Sequence, residues 1–178
     1  RTCRVLANRM RLRILQLLLS EPSMSVTEVA AKMQIDMSVA SKSLRELNAR
    51  GLLRVRRHAA MVRYWPEGDP SMPQVCDLVA ALAKTFRRSS APIDLIFRKA
   101  TAFTAPRRIL IVRELARGPC RGGEIRRRLN MSVPALVRHL RKLTDRGFVN
   151  HAQPRGAYRL ARPQTQLEKG LLELVLDE

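Results

Sequence analysis

The sequence predicts a mainly α-helical chain with small β-hairpins, built as two copies of one domain-sized unit. Three observations carry that prediction: an internal repeat, the helical spacing of apolar residues within each copy, and an alternating arginine-bearing stretch that closes each copy. Aligned at a constant offset of 96, Glu28–Leu53 and Glu124–Val149 share six identical pairs among 26: Glu28/Glu124, Leu44/Leu140, Arg45/Arg141, Leu47/Leu143, Arg50/Arg146 and Gly51/Gly147. Apolar positions match too, among them Val29/Ile125, Met33/Leu129 and Leu52/Phe148. Upstream, Leu12–Leu15 lies over Ile109–Val112 after a one-residue shift. Self-similarity on this scale sets the architecture, and a repeat of roughly 90 residues means two domains and not a solenoid. They are expected at 1–88 and 89–178, each with its own C-terminal packing helix.

Within the first copy, Leu12, Leu15, Leu18 and Leu19 recur at helical spacing, with Arg11 and Arg13 expected to face away. Pro22 ends that helix, as Pro119 does in the second copy. Ser25-Val26-Thr27-Glu28 is a helix start, the Ser accepting from the third helical N–H and the Glu reaching back. This short helix ends near Met33. Asp36 is a second expected N-cap, opening a longer helix to about Arg50 with Ala40, Leu44 and Leu47 inward and Gly51 as its stop. Two helices joined by a tight turn form a helix-turn-helix. Leu52–Arg57 and Met61–Trp65 then alternate as strands joined at His58-Ala59-Ala60; in the second copy the strands are Phe148–Ala152 and Ala157–Leu160, joined by Gln153-Pro154-Arg155-Gly156. A helix-turn-helix followed by a basic hairpin is a winged helix, so the fold class is mainly α with β-hairpin wings: two winged helix-turn-helix domains in tandem.

The residues also resemble a known family. Leu6-Ala7-Asn8 followed by Arg11–Leu15 is similar to the opening of the ArsR-type bacterial transcriptional regulators. Met131–Leu143 resembles that family's recognition helix almost position by position, and Phe148-Val149 with Arg155–Leu160 resembles its wing. The resemblance covers about 1–88 once and 92–178 again. It implies a DNA-binding regulator, a repressor by family habit, with dimer contacts between the first and last helices of each unit. A tandem chain would meet that requirement internally as a pseudo-dimer, its two recognition helices about one DNA turn apart, or would pair with a second chain as a homodimer. There are two departures. The turn between the helices, usually Gly, is Gln34 or Asn130. The family's metal-binding positions hold no Cys or His: neither Ser25–Ala30 and Gly122–Arg127 nor the terminal helices 74–88 and 165–177 carry either residue except Cys76. The expected regulator is therefore a non-metal one, with no cofactor; a small-molecule effector at the domain junction would have no residue set that names it.

Charge agrees with a polyanionic partner. The 178-residue chain carries a formal net charge of +19, from 34 Lys and Arg against 15 Asp and Glu. It is +9 over residues 1–66, zero over 67–91 and +10 over 92–178. Two basic halves around a neutral middle favour a nucleic-acid footprint, and the family resemblance implies double-stranded DNA as that partner. Aromatic residues make up only 4%, which disfavours a base-stacking single-strand platform. No apolar run reaches the ~18 residues of a membrane span, and arginines break the N-terminal apolar stretch, so neither a membrane partner nor a leader is expected. Three scattered cysteines, Cys3, Cys76 and Cys120, fit a reducing cytoplasm.

The candidate DNA contacts follow from the way recognition helices enter the major groove with their N-terminal residues at base edges. In the first copy they are Asp36, Met37, Ser38, Ser41, Lys42 and Arg45; in the second, Ser132, Val133, Pro134, Val137, Arg138 and Arg141. Lys and Arg suit phosphates or guanine edges, whereas Val133 and Pro134 offer thymine-methyl or shape readout. The wings add Arg54, Arg56, Arg57 and Arg63, then Arg155 and Arg159, suited to phosphate or a narrow minor groove. The Arg126–Arg128 run is either a backbone clamp or a solvated face. His58, His139 and His151 lack metal-ligand spacing, Cys120 has no His–acid partner, and no phosphate loop or carboxylate pair appears, so no enzyme is expected. Cys76 reads as a core thiol, Cys120 as a loop residue and Trp65 as the base of the first wing. The closing helix, with Leu167, Leu171, Leu172, Leu174 and Val175, is richer in apolar residues than one small domain should bury and is expected to meet a partner helix. An alternative function is replication, chromosome organisation or plasmid initiation, where tandem winged helices also occur.

Overall fold

A computed structural model describes residues 2–58, 61–153 and 156–177. The chain divides into two compact units, Arg1–Phe97 and Arg98–Glu178. The first contains α1 (Thr2–Leu6), α2 (Arg9–Ser20), α3 (Val26–Met33), α4 (Met37–Asn48), the strands β1 (Arg54–His58) and β2 (Met61–Trp65), and α5 (Pro73–Arg88). The cut falls inside α6 (Pro92–Ala100), where Asp94 and Phe97 hold Arg9 by an ion pair of 2.8 Å and a ring contact of 4.2 Å. The second unit continues with a 3-10 turn (Thr101–Phe103), α7 (Pro106–Ala116), β3 (Cys120–Arg121), α8 (Gly122–Arg128), α9 (Val133–Asp145), β4 (Val149–Ala152), β5 (Ala157–Leu160) and α10 (Gln166–Asp177).

The first unit buries Leu12, Leu15 and Leu18 of α2, Val29 of α3 and Ala40, Leu44 and Leu47 of α4. Leu19 is half-buried and Ile14 takes its place in the core. The expected strand at Leu52–Leu53 begins later, at Arg54, because both leucines are fully buried and serve the core before the chain leaves as a hairpin. Gly51 carries the left-handed turn at φ +67 that lets the chain reverse there, and Gly147 repeats it at φ +78. The second core gathers Ile111, Val112, Leu115, Ile125, Leu136, Leu140, Leu143 and Phe148, with Phe103 edge-on to Phe148 at 4.5 Å between ring centres.

The repeat recurs at atomic detail. Arg11 was expected to face away from the core; instead it is half-buried, and its guanidinium hydrogen-bonds the carbonyls of Val5 (2.8 Å) and Arg4 (3.2 Å) and pairs with Glu46. Arg108, 97 residues on, does the same to Ala102 and Thr101. Carbonyls at the end of a short preceding helical turn draw the guanidinium inward. Gln34 and Asn130 both adopt left-handed backbone, at φ 52 and 46, so the turn usually given to Gly forms without it. The capping box at Ser25 forms in full: Ser25 Oγ accepts the Glu28 N–H at 3.2 Å and Glu28 accepts the Ser25 N–H at 2.7 Å. At Arg121, which has no acceptor, only the Glu124 half of the box survives.

Small sheets complete each unit. Antiparallel β1 and β2 pair Arg54 with Trp65 through His58 with Met61, and a single bridge joins Met24 to Tyr64. The second unit extends the same plan to three strands in the order β3-β5-β4, Cys120 facing Tyr158. Cys120 is thus a buried strand residue and not a loop thiol, its Sγ 3.2 Å from the Glu124 carboxylate. Cys76 is only half-buried, its Sγ donating to the Asp69 carbonyl at 3.2 Å. On α10 the five apolar residues expected to seek a partner helix are all buried within the chain itself; α10 packs on α7, where Arg113 reaches the Val175 carbonyl at 3.0 Å.

Candidate nucleic-acid interface

α4 and α9 each follow the left-handed turn and keep an inner apolar stripe against the core, which leaves their N-terminal halves outward. On α4, Asp36, Met37, Ser38, Lys42 and Arg45 are exposed and Ser41 is half-buried. On α9, Ser132, Val133, Pro134, Val137, Arg138 and Arg141 are all exposed. The candidates of each unit therefore come together on one helix. Asp36 and Ser132 occupy the N-cap positions, yet neither makes a side-chain cap bond. Pro134 removes one of the N–H donors that Ser132 would have capped. The Asp36 carboxylate is exposed and gains little by exchanging water for a helix N–H.

The cations on these faces are available. Lys42, Arg138 and Arg141 form no hydrogen bond or ion pair among the described residues, and Arg45 touches only its own helix, at the Ser41 carbonyl (3.4 Å). The wings are more mixed. Arg54 and Arg57 are exposed. Arg56 pairs with Glu67 at 2.8 Å and lies 4.9 Å over the Trp65 ring, which fixes the base of the wing. Arg63 is half-buried and tied to the Ser23 carbonyl and to Glu28 at 3.1 Å, joining β2 to the start of α3. Hydrogen bonds from Ser25 outweigh desolvation and hold the Glu28 carboxyl below its ordinary value, with a lesser contribution from the Arg63 cation in the same direction. In the second unit Arg159 is exposed, and Arg155, like the Ala59-Ala60 tip of the first wing, lies outside the described residues.

Part of this surface lies beyond the residues that the wing pattern marks. Arg159 lines an open cleft of about 660 Å³ with Asn150, Arg162 and Gln164. The expected wing stopped at Leu160, but Arg162 and Gln164 follow in the next four residues and were the available signal. The Arg126–Arg128 run divides: Arg126 and Arg127 are exposed without partners among the described residues, whereas Arg128 reaches the buried Glu114 at 3.2 Å.

Other reactive groups are occupied by structure. Burial and the neighbouring Glu124 push the Cys120 thiol above its ordinary pKa, the opposite of an activated nucleophile. His139, on the side of α9 toward α7, has a buried Nδ1 with no hydrogen-bond partner among the described residues. Burial, then the cations Arg108, Arg138 and Arg107, hold its pKa below the ordinary imidazole value. Among the described residues, no three His, Cys, Asp or Glu side chains gather as a metal site, and no helix is long and apolar enough to cross a membrane.

Two comparisons meet this geometry. Residues 6–56, from the end of α1 into β1, match a helix-turn-helix domain model. Residues 105–151, from the start of α7 into β4, match the model of the bacterial regulatory proteins of the arsR family. No curated protein matches the chain. The matched segments fall one in each unit, and each ends in its wing.

Proposed function

We propose that this chain, a tandem of two winged helix-turn-helix units of the kind that regulates transcription by binding DNA, is a sequence-specific regulator that places both recognition helices on one operator. The observation that carries the proposal is the doubled exposed face. α4 and α9 each present an outward N-terminal half with cations that pair with no acidic residue among the described residues, and each is followed by an arginine-bearing hairpin. Lys42, Arg45, Arg138 and Arg141 bind phosphate or guanine edges; Ser38, Ser41, Val133 and Val137 face the bases; Arg54, Arg57, Arg155 and Arg159 follow the backbone into the minor groove. Occupying a promoter in this way represses it. The reading calls on no metal: among the described residues no three His, Cys, Asp or Glu side chains gather as a metal site.

The experiment is selection of bound fragments from sheared host genomic DNA at ~150 mM salt, where bulk electrostatic attraction is largely screened. A few enriched sites, each with two half-sites, are expected upstream of genes. Recovery spread evenly over the genome would replace the specific regulator with a general DNA clamp. Enrichment at clustered repeats of a replication origin would move the function to initiation.

A further inference from the structure

Given the DNA-binding reading above, on which this rests, we infer that the two recognition helices read chemically different half-sites, α9 reading thymine methyl groups where α4 reads hydrogen-bonding base edges. The repeat supplies the comparison. At an offset of 96, Lys42 and Arg45 correspond to Arg138 and Arg141, so the cations that set a helix on the phosphates are kept. The positions ahead of them are not kept: Ser38 corresponds to Pro134 and Ser41 to Val137. α9 has thus exchanged two hydroxyls for apolar groups without moving its anchors.

The two valines are exposed by more than half, Val133 at 58% and Val137 at 57%, although the core lies one helix face away. Together, one turn apart and flanked by Arg138 and Arg141, they make a small exposed apolar patch on that face. Val133 and Val137 are one turn apart, about 6 Å along the helix, against ~3.4 Å per base step, so together they cover neighbouring steps on one groove edge. In the major groove the single apolar feature of an unmodified base pair is the C5-methyl of thymine, and aliphatic side chains are its partners. α4 has apolar groups too, Met37 at 58% exposure with its sulfur 3.9 Å from the Thr27 hydroxyl and Val39 at 40%, but where α9 has Pro134 and Val137 it carries the hydroxyls of Ser38 and Ser41. The operator is therefore asymmetric: two half-sites of like spacing, one of them requiring T·A pairs.

The test is made on the DNA, so it does not depend on a variant folding. The full chain is titrated with a fluorescent duplex of the selected operator, made once with thymine and once with deoxyuridine in each half-site. The α9 half-site is the one whose protection weakens in Arg138→Ala. Uracil there is expected to lower affinity about four-fold per methyl removed, the effect of returning one buried methyl group to water, and to change it less than about two-fold in the other half-site. With Val133→Ala and Val137→Ala combined, changes on an exposed helix face to a better helix former, the uracil effect in the α9 half-site falls toward one-fold. Equal affinity for thymine and uracil duplexes with specific binding intact overturns this inference alone. Failure to recover any specific operator overturns the DNA-regulator reading beneath it.

Discussion

Replacing Glu168 by Gln should destabilise the second unit by about 2–3 kcal/mol, and the structure shows where the loss arises. Glu168 lies at the start of α10 with its side chain 10% exposed, paired at 2.6 Å with Lys99, itself 18% exposed. Its other oxygen accepts the Gln164 N–H at 2.7 Å, while Thr165 Oγ1 accepts the Glu168 N–H at 3.1 Å. Lys99 also donates to the Arg146 carbonyl at 2.8 Å, just past α9. One carboxylate thus links the start of α10 to the end of the second recognition helix. The amide keeps the shape but has one acceptor oxygen where the carboxylate has two, so either Lys99 or the Gln164 N–H faces its NH2 and loses its bond, at about 1–3 kcal/mol, and the Lys99 ammonium is left without its counter-ion. Outright loss of a buried pair costs about 3–5 kcal/mol, which bounds the estimate from above. For a unit of this size the loss is a drop of about 10–20 °C in Tm by calorimetry or circular dichroism. Acid supplies a second check. Burial raises the Glu168 pKa, but the hydrogen bonds from Lys99 and the Gln164 N–H outweigh it, and the carboxyl sits below its ordinary 4.5. A depressed native pKa gives stability that is present above the unfolded value and lost as pH falls through the native one. The gap between native and variant should therefore be constant near neutrality and narrow below about pH 4.5. A Tm within a degree or two of the native chain, or a gap that ignores pH, would refute this account of the junction.

Three further outcomes are expected. Gln34→Gly should raise the urea midpoint by about 0.5 kcal/mol of stability, because it relieves a left-handed side-chain residue, whereas Asn130→Gly should change it little since Asn tolerates that conformation. Arg138→Ala should cost about 1–3 kcal/mol on the specific operator, while Arg57→Ala in the wing should weaken all duplexes alike and reduce the salt slope by about one; fluorescence anisotropy over a salt series separates the two. Cys120 should resist iodoacetamide at neutral pH in the folded chain and react at the rate of a free thiol once urea unfolds it, because burial and Glu124 disfavour its thiolate.

Much of the fold was legible because its signals are local. The Ser25–Glu28 box, the spacing of Leu44 and Leu47, and the two repeat glycines each act within a turn of helix, and each formed as the residues indicate. What the sequence hid depends on partners far along the chain. Arg11 looked like a solvent-facing charge until the carbonyls of Val5 and Arg4 and the carboxylate of Glu46 were brought to it. β3 was invisible because two residues carry no periodicity; pairing with Tyr158 and Ala157 makes it a strand. For the candidate site, the helix faces were readable from the inner stripe they oppose. The division of the wing arginines into held and exposed was not, since it rests on Glu28, Glu67 and Ser23.

The central claim is that one chain engages DNA with both recognition helices. Hydroxyl-radical footprinting of the full chain on its selected operator tests it most directly. Two protected segments are expected, one weakened selectively by alanine at Lys42 and Arg45, the other by alanine at Arg138 and Arg141. A single protected segment, or a footprint that loses both segments equally in either variant, would contradict it.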